Sequence, residues 1–278
     1  MRKIKIVADS SSNVFARRGV DFASAPLKII TDDAEFVDDA NLDVDAMVSY
    51  FDTYKGKSKT SCPNPGDWLE AFTDAQEVFC ITITSNLSGS YNSACVAKQM
   101  YEDEYPDRKV FVIDSLSAGP ELLLIVEKLE QLIGEGMAFD EICSQIKEYQ
   151  QTIGLEFMLQ SLKNLAANGR VSPAVAKIAT LLGIRIVGKA SDVGTLEPTD
   201  KCPGQGRALH AVVKNMAAMG LNTGKVRIAH CAAEPAANAL KVLLAEKLPQ
   251  AQVEISQCTG LCSYYAEKGG LMIGFEKF

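Results

Sequence analysis

Three segments of the sequence end in closely similar chemistry: Asp9-Ser10-Ser11-Ser12, Thr84-Ser85-Asn86-Leu87-Ser88-Gly89-Ser90 and Asp114-Ser115-Leu116-Ser117. A fourth, Thr60-Ser61-Cys62-Pro63, adds two more hydroxyls. Ser88 to Ser90 stand where an extended run gives way to helical spacing. Free backbone N–H groups and the positive end of a helix dipole would therefore face outward there. Hydroxyls and amides so arranged can hydrogen-bond a carboxylate or phosphate without a full positive charge. Any one of these serines is explained as an N-cap or turn residue. Four hydroxyl-bearing loops at the carboxyl ends of parallel strands point instead to a site.

Other chemistries fit less well. A nucleophile-elbow hydrolase needs G-x-S-x-G, which "NLSGS" is not, and a positioned base. Only two histidines are present, His210 inside a helical pattern and His230 at a strand end, so Ser88 with His230 is the remaining hydrolytic pairing. No G-x-x-x-x-G-K-[ST] occurs, and "GQGRAL" (204–209) lacks the third glycine of a dinucleotide fingerprint. Of the eight cysteines, Cys258 and Cys262 form the one close pair, C-x3-C with no second pair beside it, so no metal site is expected. The net charge of −7 argues against a nucleic-acid partner. It is unevenly spread: residues 1–150 carry 14 Lys+Arg and 26 Asp+Glu, whereas 151–278 carry 14 and 9. Two units with different surfaces are expected.

The elements that would hold the loops are legible in outline. "RKIKIVAD", "EVFCITIT" (77–84) and "RKVFVID" (108–114) read as strands. Segments 42–54, Ser90–Met100, Pro120–Ile133 and 139–153 carry helical periodicity, and a helix is expected around Trp68 after a Pro-rich loop. Residues 21–39 read as short extended pieces around a turn at Thr31-Asp32-Asp33. This alternation implies a parallel sheet with crossover helices. Beyond residue 154 the strands 184–191, 224–230, 251–256 and 271–275 are separated by helices of varied length, which suits a mixed sheet. The expectation is an α/β protein of two domains: residues 1–153 with a three-layer parallel sheet, and 154–278 as an α/β unit with a mixed sheet. Apolar runs such as "LLLIV" (122–126) are too short to span a bilayer. "MRKIKIVADSS" lacks the apolar core of a signal peptide. A cytoplasmic location with reduced thiols is expected.

The segments "KIKIVADSSSN", "KTSCPNPGDWLEAF", "ITITSNLSGSYNSA", "VIDSLSAGPELLLIVEKL", "LKNLAANGRVS" and "LLGIRIVG" occur in the order seen in the DegV family, and the chain resembles that family over nearly its whole length. These are bacterial fatty-acid-binding proteins that serve as acyl-carrying subunits of fatty acid kinase. The resemblance implies a non-enzymatic carrier without cofactor, whose ligand is a long-chain fatty acid buried between sheet and helices. It implies a dihydroxyacetone-kinase-like kinase subunit as partner and transient contact with a membrane. Carried onto this chain, the carboxylate site takes Thr60 or Ser61 from one loop and Ser88 with the Gly89 amide from the other. Cys258, followed by Thr259, stands where the family has a histidine near the carboxylate. Pro203, in "KCPGQGR", stands where the family has an arginine tied to work with the kinase. The alternative is an enzyme acting on a small anionic substrate in the same Ser-rich cleft.

Overall fold

The computed structural model describes residues 3–172, 175, 183–221 and 223–277. In chain order the first half runs β1 (Ile4–Asp9), β2 (Asp21–Ala25), β3 (Lys28–Thr31), β4 (Glu35–Val37), α1 (Val44–Thr53), β5 (Ser58–Ser61), α2 (Pro65–Phe72), β6 (Glu77–Thr82), α3 (Ser90–Glu104), β7 (Lys109–Asp114), α4 (Pro120–Gly134) and α5 (Phe139–Tyr149). Strands pair in the order β2-β1-β6-β7, all parallel. Ile6, Val7 and Ala8 are fully buried because helices cover both faces, as a parallel sheet requires. The strand period of two sorts them. Ile6, Ala8, Phe79 and Ile81 pack with Leu122, Leu129 and Ile142 of α4 and α5, whereas Val7, Val78 and Cys80 pack with Trp68, Phe72 and Ala94 of α2 and α3.

Residues 21–39 fold as the short extended pieces expected around a turn after Thr31, but two of those pieces leave the parallel sheet. Residues 28–37 form an antiparallel hairpin closed by Thr31 N–H to the Ala34 carbonyl (2.8 Å), and β5 completes a separate sheet in the order β4-β3-β5. Thr60 and Ser61 therefore sit on a strand where a Pro-rich loop was expected. The loop proper is confined to Cys62-Pro63-Asn64. Asn64 caps α2 by accepting from Gly66 and Asp67 N–H, while Asp67 returns a bond from Asn64 N–H and Pro65 opens the helix.

The second half contains β8 (Ile153–Leu159), α6 (Lys163–Ala167), β9 (Ile184–Ala190), β10 (Leu196–Pro203), α7 (Gln205–Ala218), β11 (Gly224–His230), α8 (Glu234–Lys247), β12 (Ala251–Gln257), α9 (Gly260–Ala266) and β13 (Leu271–Glu276). Six strands pair in the order β10-β9-β8-β13-β11-β12, and the sheet is mixed because only β11 and β12 run parallel. One face packs Met158, Ile228 and Ile273 under Val212, Met216 and Leu240 of α7 and α8. The other face, through Phe157 and Met272, looks toward the first half. There the start of α4 rests directly on β13: a Cβ at Gly274 would lie 2.6 Å from backbone atoms of Pro120 and Glu121. Arg227 of β11 locks the contact with a two-pronged bond to Glu127 of α4, Nε–Oε1 2.8 Å and Nη2–Oε2 2.9 Å. The Gly204-Gln205-Gly206 turn does join a strand to a helix. That strand, β10, is an antiparallel edge, so no dinucleotide-type βαβ unit forms.

Candidate functional site

A cavity of about 270 Å³ lies between the two sheets. Leu155, Phe157 and Leu159 line it from alternate positions of β8, and Leu165, Leu196 and Ala266 close it on the side of the second half. Leu27, Ile83, Ala118 and Leu261 line it from the other side. Phe157 lies across Gly188 of the neighbouring strand, where a Cβ would stand 2.4 Å from the ring. The missing side chain gives that ring a resting place.

The polar groups on the wall are few: Thr60, Ser61, Ser88, Gly89, Arg170 and Tyr265. Thr60 and Ser61 arrive on β5, and Ser88 and Gly89 on the turn before α3. The two segments meet, since a Cβ at Gly89 would lie 3.3 Å from Cys62 Sγ and Ser93 Oγ donates to the Pro63 carbonyl at 2.7 Å. Gly89 is the N-cap of α3 and has no side chain to occupy the first-turn N–H groups. Ser88 Oγ accepts from Ser90 N–H at 3.2 Å and keeps its own proton for another acceptor.

Asp9 fixes this turn from behind. Its fully buried carboxylate accepts from Ser11 Oγ (2.5 Å), Ser90 Oγ (2.6 Å) and Ile83 N–H (2.8 Å). Burial raises its pKa and those three bonds oppose the rise. Of the four hydroxyl-bearing loops, then, two deliver side chains to the cavity. Ser10 to Ser12 are buried in the Asp9 support, with Ser10 Oγ accepting from Leu27 N–H. Ser115 Oγ donates to the Ser117 carbonyl and accepts from Ser117 N–H, and Ser117 Oγ donates to Glu121 at 2.5 Å.

Cys258 and Thr259 lie off the cavity wall. Cys258 is 1% exposed, packed with Ala229 and Cys262, and burial pushes its thiol well above the ordinary range. The single Thr259 hydroxyl proton lies within reach of two acceptors at the start of α9, Asn13 Oδ1 (2.9 Å) and the Ser10 carbonyl (3.1 Å). Asp38 accepts there from Gly260 and Leu261 N–H, with its pKa raised by burial to about 6. Neither histidine lines the cavity. His210 is exposed on α7, and His230 Nδ1 accepts from Ala233 N–H, so Ser88 and His230 are not brought together.

Arg170 and Tyr265 escaped the sequence reading. Arg170 Nε donates to the Leu87 carbonyl at 3.1 Å and its Nη1 to the Asn168 carbonyl, which brings a full positive charge beside the serine turn. Gly169, at φ 72°, turns the chain just before Arg170. Tyr265 OH pairs with Thr60 Oγ1 at 2.8 Å, across 205 residues of chain that no local pattern bridges.

Comparison with known proteins places this geometry. A family profile described as an uncharacterised protein of the DegV family matches residues 3–277. A DegV domain-containing protein of Streptococcus pneumoniae is 42% identical over 276 residues, 98% of each chain. Among solved structures, a DegV family protein from Eubacterium eligens loaded with heptadecanoic acid superposes with a TM-score of 0.97 at 42% identity, covering 99% of this chain and 100% of that one. The Streptococcus pneumoniae Fatty Acid Kinase (Fak) B3 protein loaded with linoleic acid superposes at 0.96 with 41% identity, each chain covered in full. With the profile spanning the described residues from end to end and relatives this similar along the whole length, the chain belongs to the DegV family.

Proposed function

We propose that this protein binds a long-chain fatty acid in the cavity between the sheets and presents its carboxylate to a separate kinase, without itself catalysing a reaction. The observation that carries this reading is an apolar cavity whose polar groups come from two adjoining segments, Thr60-Ser61 and Ser88-Gly89, with Arg170 beside them. The carboxylate lies at those hydroxyls and amides, and the acyl chain runs over Leu155, Phe157 and Leu159. At about 0.8 kcal/mol per methylene, roughly fifteen buried methylenes offer on the order of 12 kcal/mol gross. A carboxylate at a helix N-terminus adds only about 0.3–2 kcal/mol. The tail supplies affinity and the serine turn supplies orientation. The loaded Eubacterium eligens and Streptococcus pneumoniae structures support the same ligand class.

For an enzyme acting on a small anion, Ser88 lacks a base: its hydroxyl partner in the described residues is a backbone N–H. We also propose 1–153 and 154–278 as the two domains, supported by the closure of the parallel sheet within the first range and, but for Ile153 at the start of β8, of the mixed sheet within the second. Titration of delipidated protein with carboxylic acids of increasing chain length tests the function. Affinity should climb with each added pair of methylenes. Equal affinity for short and long acids would exclude a carrier whose binding is driven by the tail.

A further inference from the structure

Alternate positions of one strand meet successive residues of one helix at the edge of the cavity. Ser58 and Thr60, two apart on β5, point to the same face. Tyr264 OH lies 2.6 Å from Ser58 Oγ, and Tyr265 OH lies 2.8 Å from Thr60 Oγ1. The two pairs differ in what else they touch. Tyr264 is 2% exposed, is absent from the cavity wall and also accepts from Asn168 Nδ2 at 2.9 Å. In the Tyr264–Ser58 pair either oxygen can be the donor. Tyr265 and Thr60 both face the cavity, and the Tyr265 hydroxyl has Thr60 as its hydrogen-bond partner.

Each hydroxyl holds one proton and can donate once. An anionic head group accepts and never donates, so Thr60 can serve it only by turning its proton toward the ligand. The Thr60 oxygen then needs a donor from behind, and Tyr265 is placed to be that donor. We propose that Tyr265 is a positioning residue which sets the Thr60 hydroxyl as a donor to an anionic head group and so favours a free carboxylate over its neutral esters. This rests on the fatty-acid reading given above. The chain of bonds runs from Tyr265 O–H to Thr60 Oγ1, and from Thr60 O–H to the carboxylate, each step polarising the next.

Calorimetric titration with a long-chain fatty acid and with its methyl ester tests the assignment. Tyr265→Phe keeps the ring in the wall and removes only the hydroxyl. It should weaken the acid roughly tenfold and the ester by a clearly smaller factor, because a bond to an ionised acceptor is about twice as strong as one to the neutral ester carbonyl. Thr60→Val should show the same discrimination between acid and ester, and adding Tyr265→Phe to it should cause no further loss. Tyr264→Phe should leave both affinities alone. Equal losses for acid and ester, no loss at all, or full additivity of the two variants would overturn the proposal. Should Tyr265→Phe fail to fold, equal effects of Thr60→Val on acid and ester would overturn it alone. If the parent protein binds no fatty acid, the underlying function falls and this inference with it.

Discussion

Replacing Ser88 by alanine tests the head-group assignment with a magnitude that follows from its bonds. Ser88 Oγ lines the cavity and accepts one long contact, 3.2 Å, from Ser90 N–H, so its proton is available to a ligand. A hydrogen bond to a charged group contributes about 1.5–3 kcal/mol, and leaving the carboxylate one donor short should weaken binding about tenfold to a hundredfold. The lost contact to Ser90 loosens the first turn of α3 and should appear as a small fall in Tm instead. Ser93, farther along the helix, is unsuitable as a silent control because its hydroxyl bonds the Pro63 carbonyl and steadies the neighbouring loop. Ser144 on α5, exposed and bonded only to the Asp140 carbonyl of its own helix, serves better. The assay is calorimetric titration of delipidated protein with one fatty acid. Ser88→Ala matching both the parent and Ser144→Ala in affinity would refute the placement of the carboxylate.

Other outcomes follow from the same structure. Cys258→His forces a larger polar ring into a site 1% exposed, and should lower stability by about 1–3 kcal/mol in denaturant titration; a fully stable variant with tighter fatty-acid binding would place residue 258 at the head group instead. Burial raises the carboxyl groups of Asp38, Glu121 and Glu156 to about 6, 7 and 8, so folding takes up protons there. Their stabilising contribution is complete below the ordinary carboxylate range and is lost as pH rises through those values. Tm should therefore fall from about pH 5 to about pH 9, and Glu156→Gln should flatten the upper part of that fall; a flat parent profile would contradict it. Pro203, exposed at the end of β10, offers none of the donors of an arginine. Acyl-phosphate formation with a partner kinase should be weak and should improve in Pro203→Arg at unchanged lipid affinity; robust formation indifferent to that change would show the arginine to be dispensable.

The parts of the fold that sequence revealed are those whose burial is written locally. β1, β6 and β7 are apolar runs buried on both faces, and each is followed by hydroxyl and Asx residues that turn the chain. Two other strands were hidden for separate reasons. β8 follows α5 through a single turn of 3-10 helix and places Glu156 in the middle of an apolar run, so helical periodicity carries the eye past its start. β10 is an edge strand with Pro198 at an irregularity and alternating exposure, which reads as a loop. In the small sheet β4-β3-β5, β3 and β4 were read as extended pieces around a turn, but β5 has four residues beside a Pro-rich loop, too short for a pattern to emerge. Among the residues that line the cavity, Ser88 and Gly89 stood out because a turn before a helix has a chemical signature, and Ser61 by its hydroxyl. Thr60 did too, although its strand did not. Arg170 and Tyr265 reach the cavity through packing between distant segments, and Cys258, two residues before α9, is buried against Ala229 and Cys262 instead.

The central claim is that the cavity between the sheets holds a long-chain fatty acid. Native mass spectrometry of the protein purified without added lipid tests it most directly. The account predicts a bound mass matching a long-chain fatty acid, lost on delipidation and restored by adding the acid. Protein that emerges free of lipid and takes up none on incubation with long-chain acids would contradict it.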